Sequence, residues 1–151
     1  MAAPTWLAKA CEKMQGQTTG APSSIAQRAA LAAIRGDKKL VQWQADAYRK
    51  RRDLCIELLR EIPGFRFNKP LGGFFLFPDV SSYLGGIDGQ EVIQNADALC
   101  MYLLQKAHVS TVAGSTFGAP NCIRISYTAT EEQLIAALRQ IKDALANLRL
   151  P

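Results

Sequence analysis

Histidine is scarce in this chain and its cysteines are scattered. His108 is the single histidine among 151 residues, and the sequence contains no Cys-x-x-Cys pair. Zinc sites need several such ligands at short spacing, so we predict no metal site. A disulfide framework is also unexpected in a chain of this size and apolar content. We therefore expect reduced thiols at the four cysteines, which are Cys11, Cys55, Cys100 and Cys122.

Long apolar runs are absent too, and the first residues carry charge. Lys9, Glu12 and Lys13 lie where a signal peptide would have its apolar region. No segment reaches the roughly 20 consecutive apolar residues that a membrane helix needs. We therefore expect a cytoplasmic protein that has no membrane partner.

The common hydrolase and nucleotide motifs are missing. His108 precedes the apolar "VSTV" and has no G-x-S-x-G near it, which argues against a catalytic triad. Neither G-x-x-x-x-G-K-[ST] nor G-x-G-x-x-G occurs, so no phosphate-binding loop of these kinds is predicted. The glycine-rich stretch "AGSTFGAPN", residues 113–121, is then either a simple turn or the border of a ligand site.

Positive charge exceeds negative charge, with a formal net charge of +5. The one dense basic run is "RKRRD" at residues 49–53. Asp46 and Asp53 lie three and four residues from Arg49, and Glu57 lies four residues after the end of the run, which favours an ion-paired helix face over a nucleic-acid surface. We expect no nucleic-acid partner. A non-catalytic binding or scaffold module with a basic surface is the alternative to an enzyme.

The first half of the sequence is helical in pattern. Helices are predicted at residues 4–14, 22–35 and 37–62, with a polar connector at 15–22. The third is long, and its apolar positions Val41, Tyr48, Cys55 and Ile62 repeat every seven residues. Pro63 and Gly64 end it. We divide the chain into a helical segment, 1–36, and a second domain, 37–151.

The second half mixes strands and helices in the order β-β-α-β-β-α. The strands are predicted in "FRF", "GGFFLFPDV", "VSTV" and residues 122–127, and the helices at 90–107 and after Thr130. Thr130 is placed as the N-cap of the last helix. We predict an α+β fold, with three N-terminal helices followed by a small sheet that helices cover.

One residue of the last strand does not fit its neighbours. Ile123, Ile125 and Tyr127 share one face of the strand, and Arg124 lies in the middle of the other. A partly covered guanidinium without an acceptor is costly. The acceptor is either an acid elsewhere in the fold or the carboxylate of a bound ligand.

Four segments in order resemble pyridoxal-phosphate-dependent aminotransferases of fold type I, in particular the bacterial aspartate aminotransferases. "AAPTWLAKA" is similar to the family's A-A-P-x-x-[IL]-x-K-A stretch, and "QGQTTGAPSSIAQRAALAAI" to its Q-[ST]-x-[ST]-[ST]-x-x-x-S-I-A-Q-x-A-A segment. "KPLGGFFLFPDVS" resembles P-x-G-[AG]-F-[FY]-x-F-P-D, and "VAGSTFGAPNCIRISYTAT" resembles V-x-P-G-x-x-F-G followed by I-R-[IL]-S-[YF]-A-T. Ala113 departs from the pattern, because the family usually has proline there.

The resemblance implies roles for particular residues. Arg124 matches the arginine that binds the α-carboxylate of the amino-acid substrate, and Gly114 and Gly118 match the loop that borders the active site. Gln17, Thr18 and Thr19 resemble the segment that approaches the cofactor of the neighbouring subunit in the dimer. The implied substrates are an amino acid, such as aspartate, and a 2-oxo acid, which places the enzyme in amino-acid metabolism.

The resemblance also implies what this segment does not carry. The family's Schiff-base lysine stands in S-K-x-[FY]-x-[ML]-x-G-x-R-x-G-Y, and none of the eight lysines here has such surroundings. We expect the small, C-terminal domain of an aminotransferase, with residues 1–36 following a large cofactor-binding domain. No catalytic residue is predicted in this chain. Alone it is expected to be inactive and to hold no pyridoxal phosphate covalently.

Overall fold

The computed structural model describes residues 3–150 and confirms the α+β class. Short 3₁₀ turns at Ser81–Tyr83 and Gly114–Phe117 accompany the helices and strands. In chain order these are α1 (Thr5–Thr18), α2 (Ser24–Arg35), α3 (Lys38–Arg60), β1 (Phe75–Leu76), β2 (Ile87–Asp88), β3 (Glu91–Val92), α4 (Ala96–Lys106), β4 (Val112–Ala113), β5 (Ile123–Ser126) and α5 (Glu131–Ala146). None of the helices within residues 3–150 is both long and apolar enough to cross a membrane.

The chain forms two units, and the first ends at Val41. It contains α1, α2 and the first residues of α3. Neither α1 nor α2 contains a buried residue. Trp6 and Ile25 keep 72% and 80% of their surface exposed, so the described part of this unit has no apolar core of its own.

The second unit begins at Gln42 and is built around a three-stranded antiparallel sheet. β5 lies at its centre, between β1 and β4. Phe75 of β1 pairs with Ser126, and Val112 of β4 pairs with Arg124. Ile123 and Ile125 point into the core, as the alternation predicts, and Arg124 therefore lies on the opposite face.

Helices cover the buried face of this sheet. Leu134, Leu138, Ile141 and Leu145 of α5 are buried, which confirms the predicted apolar stripe. Residues from the end of α3 and from α4 complete the core. Thr130 caps α5 as predicted: its hydroxyl accepts from the Gln133 amide at 3.4 Å, and the Gln133 side chain accepts from the Thr130 amide at 3.2 Å.

Four local predictions were wrong. Helix α1 continues through Thr18, into the predicted connector. "FRF" is not a strand, because only Arg66 forms a bridge there, to Asp79. Residues 87–92 form the β2–β3 hairpin, where a loop and the start of a helix were expected. Helix α4 starts later than predicted because the Asn95 side chain accepts from the Ala98 amide at 2.9 Å and caps it.

Candidate functional site

Arg124 lies on the face of the sheet opposite to the buried side chains of Ile123 and Ile125. Its side chain is half-buried on the central strand, beside the edge strand β4. Two aromatic rings contact the guanidinium: its Cζ is 4.4 Å from the centre of the Phe75 ring and 4.9 Å from the centre of the Phe117 ring. Both distances are within the range of cation–π contacts.

No acidic side chain neutralises this guanidinium in the part of the chain that the structure describes. The six ion pairs there involve other cations, and none includes Arg124. Of the two acceptors expected from the sequence, an acid within the described fold is therefore not found. The N–H donors of the guanidinium are therefore not bound to a carboxylate within residues 3–150.

Arg124 opens into a shallow depression of about 330 Å³. Phe75, Phe77 and Phe117 are its other lining residues, so the guanidinium is its only charged group. Phe77 contacts Phe117 edge to face, with ring centres 6.0 Å apart. The arrangement presents a fixed positive charge beside apolar walls, which suits the carboxylate of a small organic acid.

The glycine-rich loop next to Arg124 depends on its two predicted glycines. A Cβ on Gly114 would lie 2.3 Å from the Ala119 carbonyl oxygen and 2.6 Å from that of Cys122. Gly118 has a φ of 75°, in the left-handed region that glycine tolerates best. The loop is fastened to α4 by Ser115, whose hydroxyl donates to the Asp97 carboxylate at 3.0 Å.

The remaining predicted border residues belong to the first unit. Gln17 and Thr18 end α1, and Thr19 follows it. The hydroxyls of Thr18 and Thr19 donate to the backbone oxygens of Met14 and Gln15, at 2.8 and 2.9 Å. The structure therefore shows these three residues only within their own unit.

Sequence reasoning missed the aromatic residues around Arg124. Phe75 and Phe77 alternate in β1 and the residues after it, which could have placed them on one face of the sheet. Phe117 carried no such periodic signal, because it lies in a 3₁₀ turn of the glycine-rich loop. The position of its ring depends on the folded structure of the loop.

The basic run on α3 is largely satisfied by neighbouring groups. Arg49 pairs with Asp46 at 2.5 Å, as the three-residue spacing predicted, and Arg52 pairs with the adjacent Asp53 at 2.9 Å. Glu57 forms no ion pair within residues 3–150. Arg51 donates to the Thr128 carbonyl oxygen at 3.0 Å instead of pairing with an acid.

A match to a protein-family model shows the class of protein to which the chain belongs. The family model for class I and II aminotransferases matches residues 1–141, and the chain belongs to this family. Its members depend on pyridoxal phosphate.

Individual relatives are aspartate aminotransferases in name. The chain is 43% identical over its whole length to the bifunctional aspartate aminotransferase and glutamate/aspartate-prephenate aminotransferase of Petunia hybrida, of which it covers 32%. It superposes on the aspartate aminotransferase of Rhizobium meliloti with a TM-score of 0.88 and 35% identity, over 97% of this chain and 37% of the other. The aromatic aminotransferase of Pyrococcus horikoshii gives a TM-score of 0.81 at 28% identity, over 96% of this chain and 37% of that one. The chain thus spans about a third of the length of the curated relatives that it matches.

The surroundings of the lysines bear on the family's cofactor, which a lysine amine holds covalently. Seven of the eight are exposed, and Lys142 is half-buried and paired with Glu61 at 2.9 Å. Lys69 and Lys106 are likewise paired, with Asp53 and Asp88. A lysine that forms a Schiff base is usually desolvated so that its amine can lose its proton, and none of these provides that setting.

Proposed function

We propose that this chain is the part of an amino-acid aminotransferase that holds the α-carboxylate of the substrate, and that Arg124 is the group that holds it. One observation carries the proposal: a half-buried arginine on the central strand has aromatic neighbours and no acidic partner within residues 3–150. A planar guanidinium can make two parallel hydrogen bonds to a carboxylate. Amino acid and 2-oxo acid share that carboxylate, so one arginine serves both half-reactions.

The relatives support the choice of substrates. Several are named aspartate aminotransferases, and we propose aspartate as the amino donor and a 2-oxo acid as the acceptor. In such enzymes pyridoxal phosphate supplies the chemistry of amino-group transfer. We assign its binding to a large domain outside these 151 residues, because the lysines here do not suit it. The chain alone is then inactive.

The first unit supports the proposal of further partners. Ile34 and Trp6 are 81% and 72% exposed, and such large apolar side chains are usually covered in an assembled protein. We propose that the large domain and a second subunit of a homodimer cover them. Gln17, Thr18 and Thr19 would then border the second subunit's active site.

The alternative function, a basic binding or scaffold module, has less support. It relied on the arginines of α3, and Arg49 and Arg52 already pair with carboxylates. These pairs neutralise two of the four basic side chains in the run at residues 49–52.

Steady-state transamination by the complete gene product tests the proposed function. We expect Arg124→Lys to raise KM for both amino acid and 2-oxo acid about 10- to 100-fold, because lysine cannot reproduce the two-pronged contact and a hydrogen bond to a charged group contributes about 1.5–3 kcal/mol. Arg139→Lys, on the exposed face of α5, is the matched control and should leave both KM values unchanged. Equal effects of the two substitutions would contradict the assignment.

A further inference from the structure

Phe117 contacts the Arg124 guanidinium although it belongs to a separate element of the fold. Phe75 lies on β1, which pairs directly with β5, so its contact with Arg124 follows from strand pairing. Phe117 lies on the 3₁₀ turn after β4 and reaches the same guanidinium at 4.9 Å. Its place beside Arg124 therefore depends on how the glycine-rich loop is folded.

Core packing does not explain this ring. Phe117 keeps 52% of its surface exposed, whereas the apolar residues of the core lie below a tenth. Its neighbours are Phe77, in edge contact, and the guanidinium. An exposed phenylalanine gains little from burial, so the contact with the cation is the notable feature of its position.

The turn that carries Phe117 is held from several sides. The Thr116 hydroxyl donates to the Ala113 carbonyl oxygen at 2.9 Å, and the Ser115 hydroxyl donates to Asp97 at 3.0 Å. The Gly118 amide donates to the Ser115 carbonyl oxygen at 3.1 Å. These bonds fix the backbone on both sides of Phe117.

We propose that Phe117 is a positioning residue, which acts on substrate through Arg124. The inference rests on the proposed function of Arg124 as the carboxylate site. An arginine side chain has many rotamers, and a carboxylate that binds to it must order them. Ring contacts restrict the guanidinium before the ligand arrives. No hydrogen bond from its N–H groups to another residue is found within residues 3–150, so they remain available to a carboxylate. Phe117 brings no negative charge, so it orients the cation without neutralising it.

The test uses nuclear magnetic resonance of the 151-residue chain, with the Arg124 Nε–Hε signal as the reporter and acetate as the probe. Aromatic ring currents shift this signal when a ring lies against the guanidinium. In Phe117→Leu we expect the signal to move towards the value of an unstacked arginine, and the acetate dissociation constant to rise about fivefold, the loss of roughly one cation–π contact. Phe117→Tyr retains the ring and should keep both properties within twofold of wild type.

Phe65→Leu is the matched control, because the Phe65 ring contacts Tyr83 and does not line the Arg124 depression. It should change neither the signal nor the acetate affinity by more than a small amount. The amide spectrum reports whether each variant is folded, and Phe117→Met replaces Phe117→Leu if that variant is not.

The outcomes separate this inference from the proposed function. An unchanged Arg124 signal and unchanged acetate affinity in Phe117→Leu overturn the positioning role. Equal effects of Phe65→Leu and Phe117→Leu overturn it too, because the loss of any aromatic ring would then have the same consequence. If Arg124→Ala binds acetate as well as wild type does, the carboxylate site itself is contradicted.

Discussion

At the scale of residues, the environment of Arg124 distinguishes an arginine that pairs with a carboxylate of its own fold from one that is available to a bound anion. An arginine that stabilises a fold usually pairs with a carboxylate, as Arg66 does with Asp79 at 3.3 Å. Arg124 is held by aromatic rings instead, which cover the guanidinium while leaving its hydrogen-bond donors unsatisfied by protein carboxylates within residues 3–150. The guanidinium is weakly hydrated compared with an ammonium group, so partial cover by rings costs it less. This environment supports the proposal that Arg124 binds a ligand with a negative charge.

The two glycines of the neighbouring loop should differ in their tolerance of a side chain. Gly114→Ala places a Cβ against two backbone oxygens that cannot move aside, so we expect a loss of about 1–3 kcal/mol or more in the free energy of unfolding. Gly118→Ala has open space but an unfavourable φ, and about 1–2 kcal/mol is expected. Urea unfolding of the 151-residue chain measures both.

Gly72→Ala is the control for these substitutions. Its Cβ would meet no atom within 4 Å, so its stability should be close to that of wild type. Gly118→Asn should cost less than Gly118→Ala, because asparagine tolerates the left-handed region better than alanine. An alanine at position 114 that is as harmless as one at position 72 would show that the loop is not folded as described.

At the scale of elements, the residues after β1 are fixed by one carboxylate. Asp79 accepts from the hydroxyl and the amide of Ser81, at 2.6 and 2.8 Å, and also pairs with Arg66. These contacts, those of Ser81 foremost, lower the pKa of the Asp79 carboxyl below its ordinary value of 3.8. Its backbone bridges Arg66 on one side and Cys122, next to β5, on the other. Asp79 thus links the segment after α3 to the strand that carries Arg124.

The pH dependence of stability should contain a contribution from Asp79. Because its pKa is lower in the folded chain than in the unfolded chain, the contribution is present well above pH 3.8 and is lost as the pH falls through the lowered pKa. We expect Asp79→Asn to reduce the acid-induced loss of stability in urea titrations between pH 3 and pH 7. Asp143→Asn, on the exposed face of α5, is the control. An acid profile that stays identical in Asp79→Asn would contradict this linkage.

The sequence predicted the elements that have strong periodicity and missed those that tertiary contacts create. The stripe of α5 and the alternation around Arg124 are local patterns, and both are present in the structure. The β2–β3 hairpin has strands of two residues each, too short for any pattern to reveal. "FRF" alternates as a strand should, but only Arg66 forms a bridge to another segment. The lack of further pairing therefore outweighs the local preference for a strand.

The site was predicted only in part for the same reason. Arg124 stood out because a charge interrupts an apolar alternation, and the resemblance to aminotransferases gave Gly114 and Gly118 a place beside it. The packing of Phe117 against Arg124 joins residues of different elements, which no local pattern contains. Ala113 stands where the family usually has proline, and its φ of −63° is one that proline also adopts, so the departure leaves the local backbone unchanged.

At the scale of the whole molecule, we propose that this chain binds the substrate carboxylate and that a large domain outside these 151 residues binds the cofactor. It covers about a third of the length of its curated relatives, and its lysines are exposed or ion-paired. Treatment of the 151-residue chain with one equivalent of pyridoxal phosphate and then borohydride should therefore give little labelling, spread over several lysines. Lys142→Arg is the informative variant, because Lys142 is the least exposed lysine. A stoichiometric adduct at a single lysine would contradict the proposed division.

The most direct test of the central claim is the energetic coupling between Arg124 and the α-carboxylate of the substrate. It requires kcat/KM of the complete gene product, wild type and Arg124→Ala, each with aspartate and with its α-carboxamide analogue. If the two groups bind each other, removing either one should cost about 2–5 kcal/mol of transition-state stabilisation, and removing both should cost little more than removing one. Two independent, additive losses would show that Arg124 does not contact the carboxylate, and a product with no transamination at all would contradict the proposed function itself.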